Sequence, residues 1–226
     1  MKILVFTEKP FAPAAVEAIS NVVNASGNDL EVVEKGSRED LLNAVKDANG
    51  LIVRSDVIDD AVMNAAPELK VIVRAGAGYD NIDLAAATKH GICVMNTPGQ
   101  NSNAVAELVF GMIVMMCRNK YNGKSGSELK GKSLGIYAFG QVGRNVARIA
   151  KGFNMNIEAL DVFVPDEVIE AEGVKPLHDV NELFSQNDFV SLHIPATPQK
   201  KHSIGYALVM TMPKSGVLLN TPRKEI

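Results

Sequence analysis

Cysteine is scarce in this sequence, and so are charge excess of one sign, long apolar runs and internal repeats. The 226 residues contain two cysteines, Cys93 and Cys117, both in apolar surroundings and without metal-ligand spacing. That argues against a disulfide framework and against any metal site, and makes the cytoplasm the expected location. The formal net charge is −3, so the basic face of a nucleic-acid binder is missing. The most apolar run, 108–117, falls short of the roughly 18 to 20 residues that span a bilayer. No membrane partner is expected. The first residues run straight into Ile3-Leu4-Val5-Phe6, without the basic flank, longer apolar region and cleavage site of a signal peptide. Low-complexity tracts are absent as well.

What is present is an ordinary globular composition, 46% hydrophobic and 22% charged, on a length that suits one large domain or two small ones. Short β-branched runs at 3–6, 30–34, 51–54, 71–74 and 92–95 alternate with amphipathic stretches such as 14–23 and 38–48. Near-continuous apolar runs suit strands covered on both faces, and the alternation predicts βαβ units with parallel sheets. A second set of strands is expected at 134–138, 157–161, 189–193 and 217–220. Between the sets, Val105, Leu108, Val109, Met112, Ile113 and Met116 recur at helical spacing. Val114 and Met115 make that helix apolar on most sides, so 104–118 is expected to be buried between two larger bodies. Asn96-Thr97-Pro98-Gly99 before it reads as a joint. The domains are expected at 1–98 and 99–226.

The strongest local pattern is Leu134-Gly135-Ile136-Tyr137-Ala138-Phe139-Gly140-Gln141-Val142-Gly143, with a strand in front and a helix behind. A dinucleotide site needs a tight turn, close backbone approach to a pyrophosphate, and a helix starting hard against the strand. The N–H groups at that helix start then face the phosphates. Ala138 stands where the first glycine of the spacing is usual. Asp161, about 20 residues on, can accept both ribose hydroxyls and repels a 2′-phosphate, which favours NAD over NADP.

Three further stretches carry a family resemblance. Val73-Arg74-Ala75-Gly76-Ala77-Gly78-Tyr79-Asp80-Asn81-Ile82-Asp83 leads on to Gly91-Ile92-Cys93-Val94-Met95-Asn96-Thr97-Pro98-Gly99, Asn101 and Val105-Ala106-Glu107. Gly131-Lys132-Ser133-Leu134-Gly135-Ile136 opens the nucleotide turn, and His193-Ile194-Pro195 is followed by Asn220-Thr221-Pro222-Arg223. In this order they make the chain similar to the D-isomer-specific 2-hydroxyacid dehydrogenases, within them to the branch that oxidises 3-phospho-D-glycerate on the way to serine. Sister branches act on glycerate, glyoxylate or D-lactate. The resemblance implies a flavodoxin-like substrate domain, a Rossmann domain holding NAD, an active site in the cleft between them, and a homodimer formed near the long helix.

The same resemblance implies roles for individual residues. The Gly76-Ala77-Gly78 loop would offer backbone N–H groups to the substrate carboxylate, and Ala77 would also reach the cofactor. Arg54 would reach the phosphate of a phosphorylated hydroxy acid, with Arg74 adding charge. Arg54 could equally be solvated or paired with Asp56, and Asn101 could line the cleft or cap the long helix. Gly140, Gln141, Val142, Gly143 and Asp161 match the nucleotide turn. Ile194, Pro195, Thr221 and Pro222 match the nicotinamide wall, Pro222 standing where Ala or Ser is more usual. Arg223 matches the catalytic arginine that grips the carboxylate and carbonyl and also lies against the cofactor. The base of this chemistry, a histidine raised by a glutamate, follows that arginine in family order. None of His90, His178, His193 and His202 matches it. The expectation is therefore an incomplete Rossmann sheet, about two strands short of six, and a chain of little or no turnover: a truncated form, or a non-catalytic NAD-binding or dimerising fragment.

Overall fold

The computed structural model describes residues 1–195, 200 and 202–221. It divides into two compact units, Met1–Gln100 and Asn101–Ile226.

The first unit runs β1 (Lys2–Thr7), α1 (Pro13–Ala25), β2 (Asp29–Glu34), α2 (Arg38–Ala44), β3 (Gly50–Val53), α3 (Asp60–Asn64), β4 (Val71–Arg74), α4 (Leu84–Lys89) and β5 (Cys93–Asn96). Its helices start where the sequence supplies caps. Pro13 opens α1, Ser37 and Asp40 close a reciprocal capping box on α2, and Asp59 and Asp83 cap α3 and α4. Each cap satisfies N–H groups that a helix start leaves without partners. All strand pairs are parallel, in the order β2-β1-β3-β4-β5. That is the flavodoxin-like order. Leu4, Phe6, Leu51, Val53 and Ile72 fill the core of this unit.

The second unit runs α5 (Ser102–Cys117), β6 (Ser133–Tyr137), α6 (Gln141–Gly152), β7 (Asn156–Leu160), α7 (Asp166–Ala171), β8 (Lys175–Leu177), α8 (Val180–Ser185), β9 (Phe189–Leu192), α9 (Tyr206–Val209) and β10 (Val217–Asn220). Its parallel order, β10-β9-β6-β7-β8, places β6 centrally. Counted from β6, these are five strands of the Rossmann order 3-2-1-4-5-6. The sequence reading found four of them and missed β8. That strand has three residues, one of them Pro176, and among the described residues pairs only with β7. An edge strand tolerates a proline because the missing N–H would face away from the sheet. One strand of the six-stranded order, not two, is therefore unaccounted for among the described residues.

The long helix also differs from expectation. Ala106, Val109, Phe110 and Ile113 of α5 are buried, and Phe110 stacks on Phe153 with centroids 5.2 Å apart. Leu108, Met115 and Met116 remain 57%, 50% and 52% exposed. One face of α5 packs against its own unit; the other is an open apolar stripe.

A single carboxylate sets the register at the start of the central strand. Asp188, just before β9, accepts the Ser133 N–H at 2.9 Å and Lys132 Nζ at 3.2 Å, while its own N–H donates to Ser133 Oγ at 2.8 Å. Burial pushes this carboxyl up, but the Ser133 and Lys132 hydrogen bonds outweigh it and hold the group below its ordinary value. We predict that Asp188→Ala lowers the unfolding free energy by about 2 kcal/mol in urea at neutral pH. A depressed carboxylate stabilises the fold above its unfolded pKa and loses that contribution as pH falls through the folded one. The gap between wild type and variant should therefore close on acidification.

Candidate functional site

In a parallel sheet every strand delivers the chain to its next helix at the same edge, so functional loops collect there. In the second unit that edge holds the glycine-rich turn between β6 and α6. Ala138 adopts φ +80°, a conformation in which a Cβ is strained and glycine is the easy choice. The first position of the spacing thus demands a glycine-like backbone although the sequence places alanine there. Gly143 is needed for a different reason. A Cβ on it would lie 2.3 Å from the Ala138 carbonyl oxygen, against which α6 starts. Space in front of Gly140 is open to 4 Å.

Helix α6 begins with Gly140 at its N-cap and no side-chain capping bond. The N–H groups of Gly140, Gln141, Val142 and Gly143 have no acceptor among the described residues. An uncapped helix start without side chains in the way is a ready anion cradle. Asp161 follows β7 and organises the same edge. Its Oδ2 accepts the Phe139 N–H at 2.7 Å, and its Oδ1 accepts those of Phe163 and Val164 at 2.8 and 3.2 Å. This carboxylate therefore pins the turn to the neighbouring strand end, a duty that the sequence does not disclose. It remains half-buried, beside exposed Val162 and Phe163. Phosphates at the helix start, a ribose at Asp161 and a base over Phe163 are compatible with this donor set.

At the end of β9, Ile194 is buried and Pro195 exposed. His193 links this end to that of β10: Ser191 Oγ is 2.9 Å from its Nε2, and Thr221 Oγ1 is 3.5 Å from its Nδ1. Thr221 also donates to the Leu192 carbonyl at 3.4 Å. Burial pushes the His193 imidazole down to about 4, so near neutral pH it is an uncharged spacer. Pro222 and Arg223 lie outside the described residues.

In the first unit the corresponding edge gathers two arginines. Arg54 directly follows β3, and Arg74 ends β4 in register with Val53. The Arg54 guanidinium is not paired with Asp56, although the Arg54 backbone N–H donates to Asp56 Oδ2 at 3.4 Å. Its Nη1 donates to the Pro10 carbonyl at 2.9 Å, and its guanidinium lies 5.5 Å over the Phe11 ring. Asp56 also accepts the backbone N–H of Glu8 at 2.8 Å. The Arg74 guanidinium covers Gly76 so closely that a Cβ there would lie 1.4 Å from Nη1. The loop it covers differs from expectation in one donor. The Gly76 N–H is engaged by the Arg74 carbonyl at 2.8 Å, which leaves the N–H groups of Ala77 and Gly78 without acceptors among the described residues.

Two residues that hold this loop were missed by sequence reading. Asn96 Nδ2 donates to the Ala77 carbonyl at 2.8 Å, and Asn81 Nδ2 donates to that of Asp56 at 2.7 Å. Asn96 sits in the Asn-Thr-Pro-Gly stretch, whose turn composition masked its side-chain role. Asn101 occupies the N-cap position of α5 but makes no side-chain capping bond. The capping alternative is not realised through its side chain.

Two outcomes test this geometry. Ala138→Gly should raise stability by about 1 kcal/mol, because the native φ suits glycine, as read by denaturant midpoint. His193, depressed in the fold, is neutral there at a pH where the unfolded chain would take up a proton. Its contribution is complete above the ordinary value of 6.5 and lost as pH falls toward about 4. His193→Gln should flatten the stability-versus-pH curve over that interval.

Comparison with known proteins agrees with both units. The family model for D-isomer specific 2-hydroxyacid dehydrogenase, catalytic domain, matches residues 3–211. The D-3-phosphoglycerate dehydrogenase of Methanocaldococcus jannaschii is 40% identical over 209 residues, covering 86% of this chain and 40% of that protein. A Thermotoga maritima hydroxypyruvate reductase is 34% identical over 226 residues, covering 93% and 72%. The solved structure of cofactor(NAD+)-bound 3-phosphoglycerate dehydrogenase from Entamoeba histolytica superposes with a TM-score of 0.92 at 45% identity, over 100% of this chain and 72% of that one. The chain thus spans well under half of the archaeal relative's length and about three quarters of the structural one. With a family model matching nearly its whole length and both sheets in the family's order, this chain belongs to the D-isomer specific 2-hydroxyacid dehydrogenases.

Proposed function

We propose that this chain is the substrate- and NAD-binding part of an enzyme that oxidises 3-phospho-D-glycerate to 3-phosphohydroxypyruvate, the entry to serine synthesis in the cytoplasm. The observation that carries the substrate is the first unit's anion loop. Arg74 lies over Gly76, the Ala77 and Gly78 N–H groups are open, and Arg54 is held by backbone carbonyls instead of an acid. Such a set matches a ligand with a carboxylate at one end and a phosphate at the other. Glycerate, glyoxylate and D-lactate lack the phosphate, so they would offer Arg54 no anion to meet.

The second unit supports NAD. The α6 start offers four N–H groups to a pyrophosphate, and Asp161 puts a carboxylate where a 2′-phosphate would be repelled. When bound, NAD supplies the hydride acceptor for the hydrogen on C2. The protein's part is to hold the carboxylate with Ala77 and Gly78, balance the phosphate charge with Arg54, and keep the β9 and β10 ends aligned through neutral His193. Arg223 is proposed to grip the carboxylate and polarise the carbonyl.

Loss of the hydroxyl proton needs a base, and no histidine stands in the first unit's anion loop or the second unit's glycine-rich turn. His90 ends α4, His178 follows the edge strand β8, His202 is exposed ahead of α9, and His193 lies between Ser191 and Thr221. These observations favour a second reading beside the first, in which residues 1–226 bind NAD without appreciable turnover. The open stripe of Leu108, Met115 and Met116 on α5 is the surface proposed to meet a second copy.

Calorimetry beside an assay of NADH formation separates these readings. We expect saturable NAD binding by residues 1–226 with NADH formation far below that of an intact dehydrogenase; turnover at ordinary enzyme rates would contradict the second reading. Arg54→Ala should weaken 3-phospho-D-glycerate binding about tenfold or more, the loss of a charge-assisted contact, and leave NAD binding unchanged. An unchanged affinity would point to an unphosphorylated substrate.

A further inference from the structure

The turn between β6 and α6 presents its donors only while its backbone keeps one conformation, and Ala138 at φ +80° makes that conformation a strained one. Strain of this kind persists where the surroundings over-determine it. Here three successive backbone groups are held from outside the turn. The Ala138 N–H donates to the Leu160 carbonyl at 2.8 Å, and the Phe139 N–H donates to Asp161 Oδ2 at 2.7 Å. The Phe139 carbonyl accepts from Arg144 Nε at 3.3 Å. The first two bonds come from the end of β7; the third comes from the first turn of α6 itself.

Arg144 is braced on two further sides. Its guanidinium lies 5.5 Å from the centroid of the Phe139 ring, which is fully buried. Its Nη1 pairs with Glu172 Oε1 at 3.1 Å, where α7 ends. Glu172 balances the charge, so what Arg144 gives the turn is a fixed direction. Arg148, one turn further along α6, is occupied elsewhere: its Nη2 donates to Asn103 Oδ1 at 2.6 Å.

The direction matters because of the peptide unit that Arg144 touches. The Phe139 carbonyl and the Gly140 N–H belong to one trans peptide, so they share a plane and point opposite ways. Holding the carbonyl toward Arg144 therefore aims the Gly140 N–H to the other side. That N–H has no acceptor among the described residues, and the space that a Gly140 Cβ would take is empty.

We propose that Arg144 is a positioning residue for the cofactor pyrophosphate. Braced by Glu172, it holds the Phe139 carbonyl and thereby aims the Gly140 N–H at the phosphates. The proposal rests on the reading of the α6 start as the pyrophosphate cradle, and it assigns the aim of one donor there to a side chain behind the peptide.

Calorimetry and amide NMR with NAD on the full chain test it. Arg144→Met keeps an apolar stem over Phe139 and removes the donors, and it should weaken NAD binding about fivefold, the loss of one well-aimed hydrogen bond. The NAD-induced shift of the Gly140 amide should fall to less than half, while Gln141, Val142 and Gly143 keep theirs. Glu172→Gln should cause a smaller loss of the same kind and add nothing to Arg144→Met. It also carries the test if Arg144→Met does not fold. Arg148→Met removes the same charge from the same helix and should bind NAD as the wild type does. Unchanged NAD affinity in both Arg144→Met and Glu172→Gln, equal attenuation at all four amides, or an equal loss in Arg148→Met would overturn the proposal. So would tighter binding by Glu172→Gln, which would mark the guanidinium as a direct phosphate contact. A wild-type chain without NAD-induced shifts at 140–143 would overturn the cradle reading itself, and the proposal with it.

Discussion

A parallel sheet ends every strand at the same edge, and the rest of this molecule follows from that constraint. Among the described residues each unit has five parallel strands, so each brings its strand-to-helix turns to one rim. In the second unit the central strand hands over to α6 through a turn that Asp161 pins and Gly143 permits. In the first unit adjacent strands deliver Arg54 and Arg74 to either side of one register step. Both rims present donors, free N–H groups and guanidinium, toward anionic ligands. The chemistry proposed for the chain is therefore a property of strand direction before it is a property of any side chain.

Strands buried on both faces were legible because their apolar runs are continuous and their spacing regular. Helix starts were legible where Ser37, Asp59 and Asp83 announce them. The short edge strand β8 was not, because three residues with a proline carry no periodic pattern. The exposure of the α5 stripe was not legible either. Composition gives a helix its apolar surface but does not say how many neighbours will cover it.

The site shows the same division. The turn's glycines and the Gly76–Gly78 loop could be found by spacing. Its internal connections could not, since they depend on which atoms meet in space. Asp161 serves three backbone N–H groups, Arg54 is anchored by carbonyls at 9–10, and Asn96 and Asn81 brace the anion loop. These partners lie far apart in sequence and leave no periodic trace. Ala138 lies between the two cases. Its place in the spacing was visible, but only the backbone shows that it takes a glycine's conformation.

The central claim is that the two rims are separate anion cradles with different ligands, and amide NMR tests it most directly. Titration with NAD should move the resonances of Gly140, Gln141, Val142 and Gly143. Titration with 3-phospho-D-glycerate should move those of Ala77 and Gly78, with Gly76, already hydrogen-bonded, moving less. No shift at the α6 start with NAD, or none at Ala77 and Gly78 with 3-phospho-D-glycerate, would contradict the account.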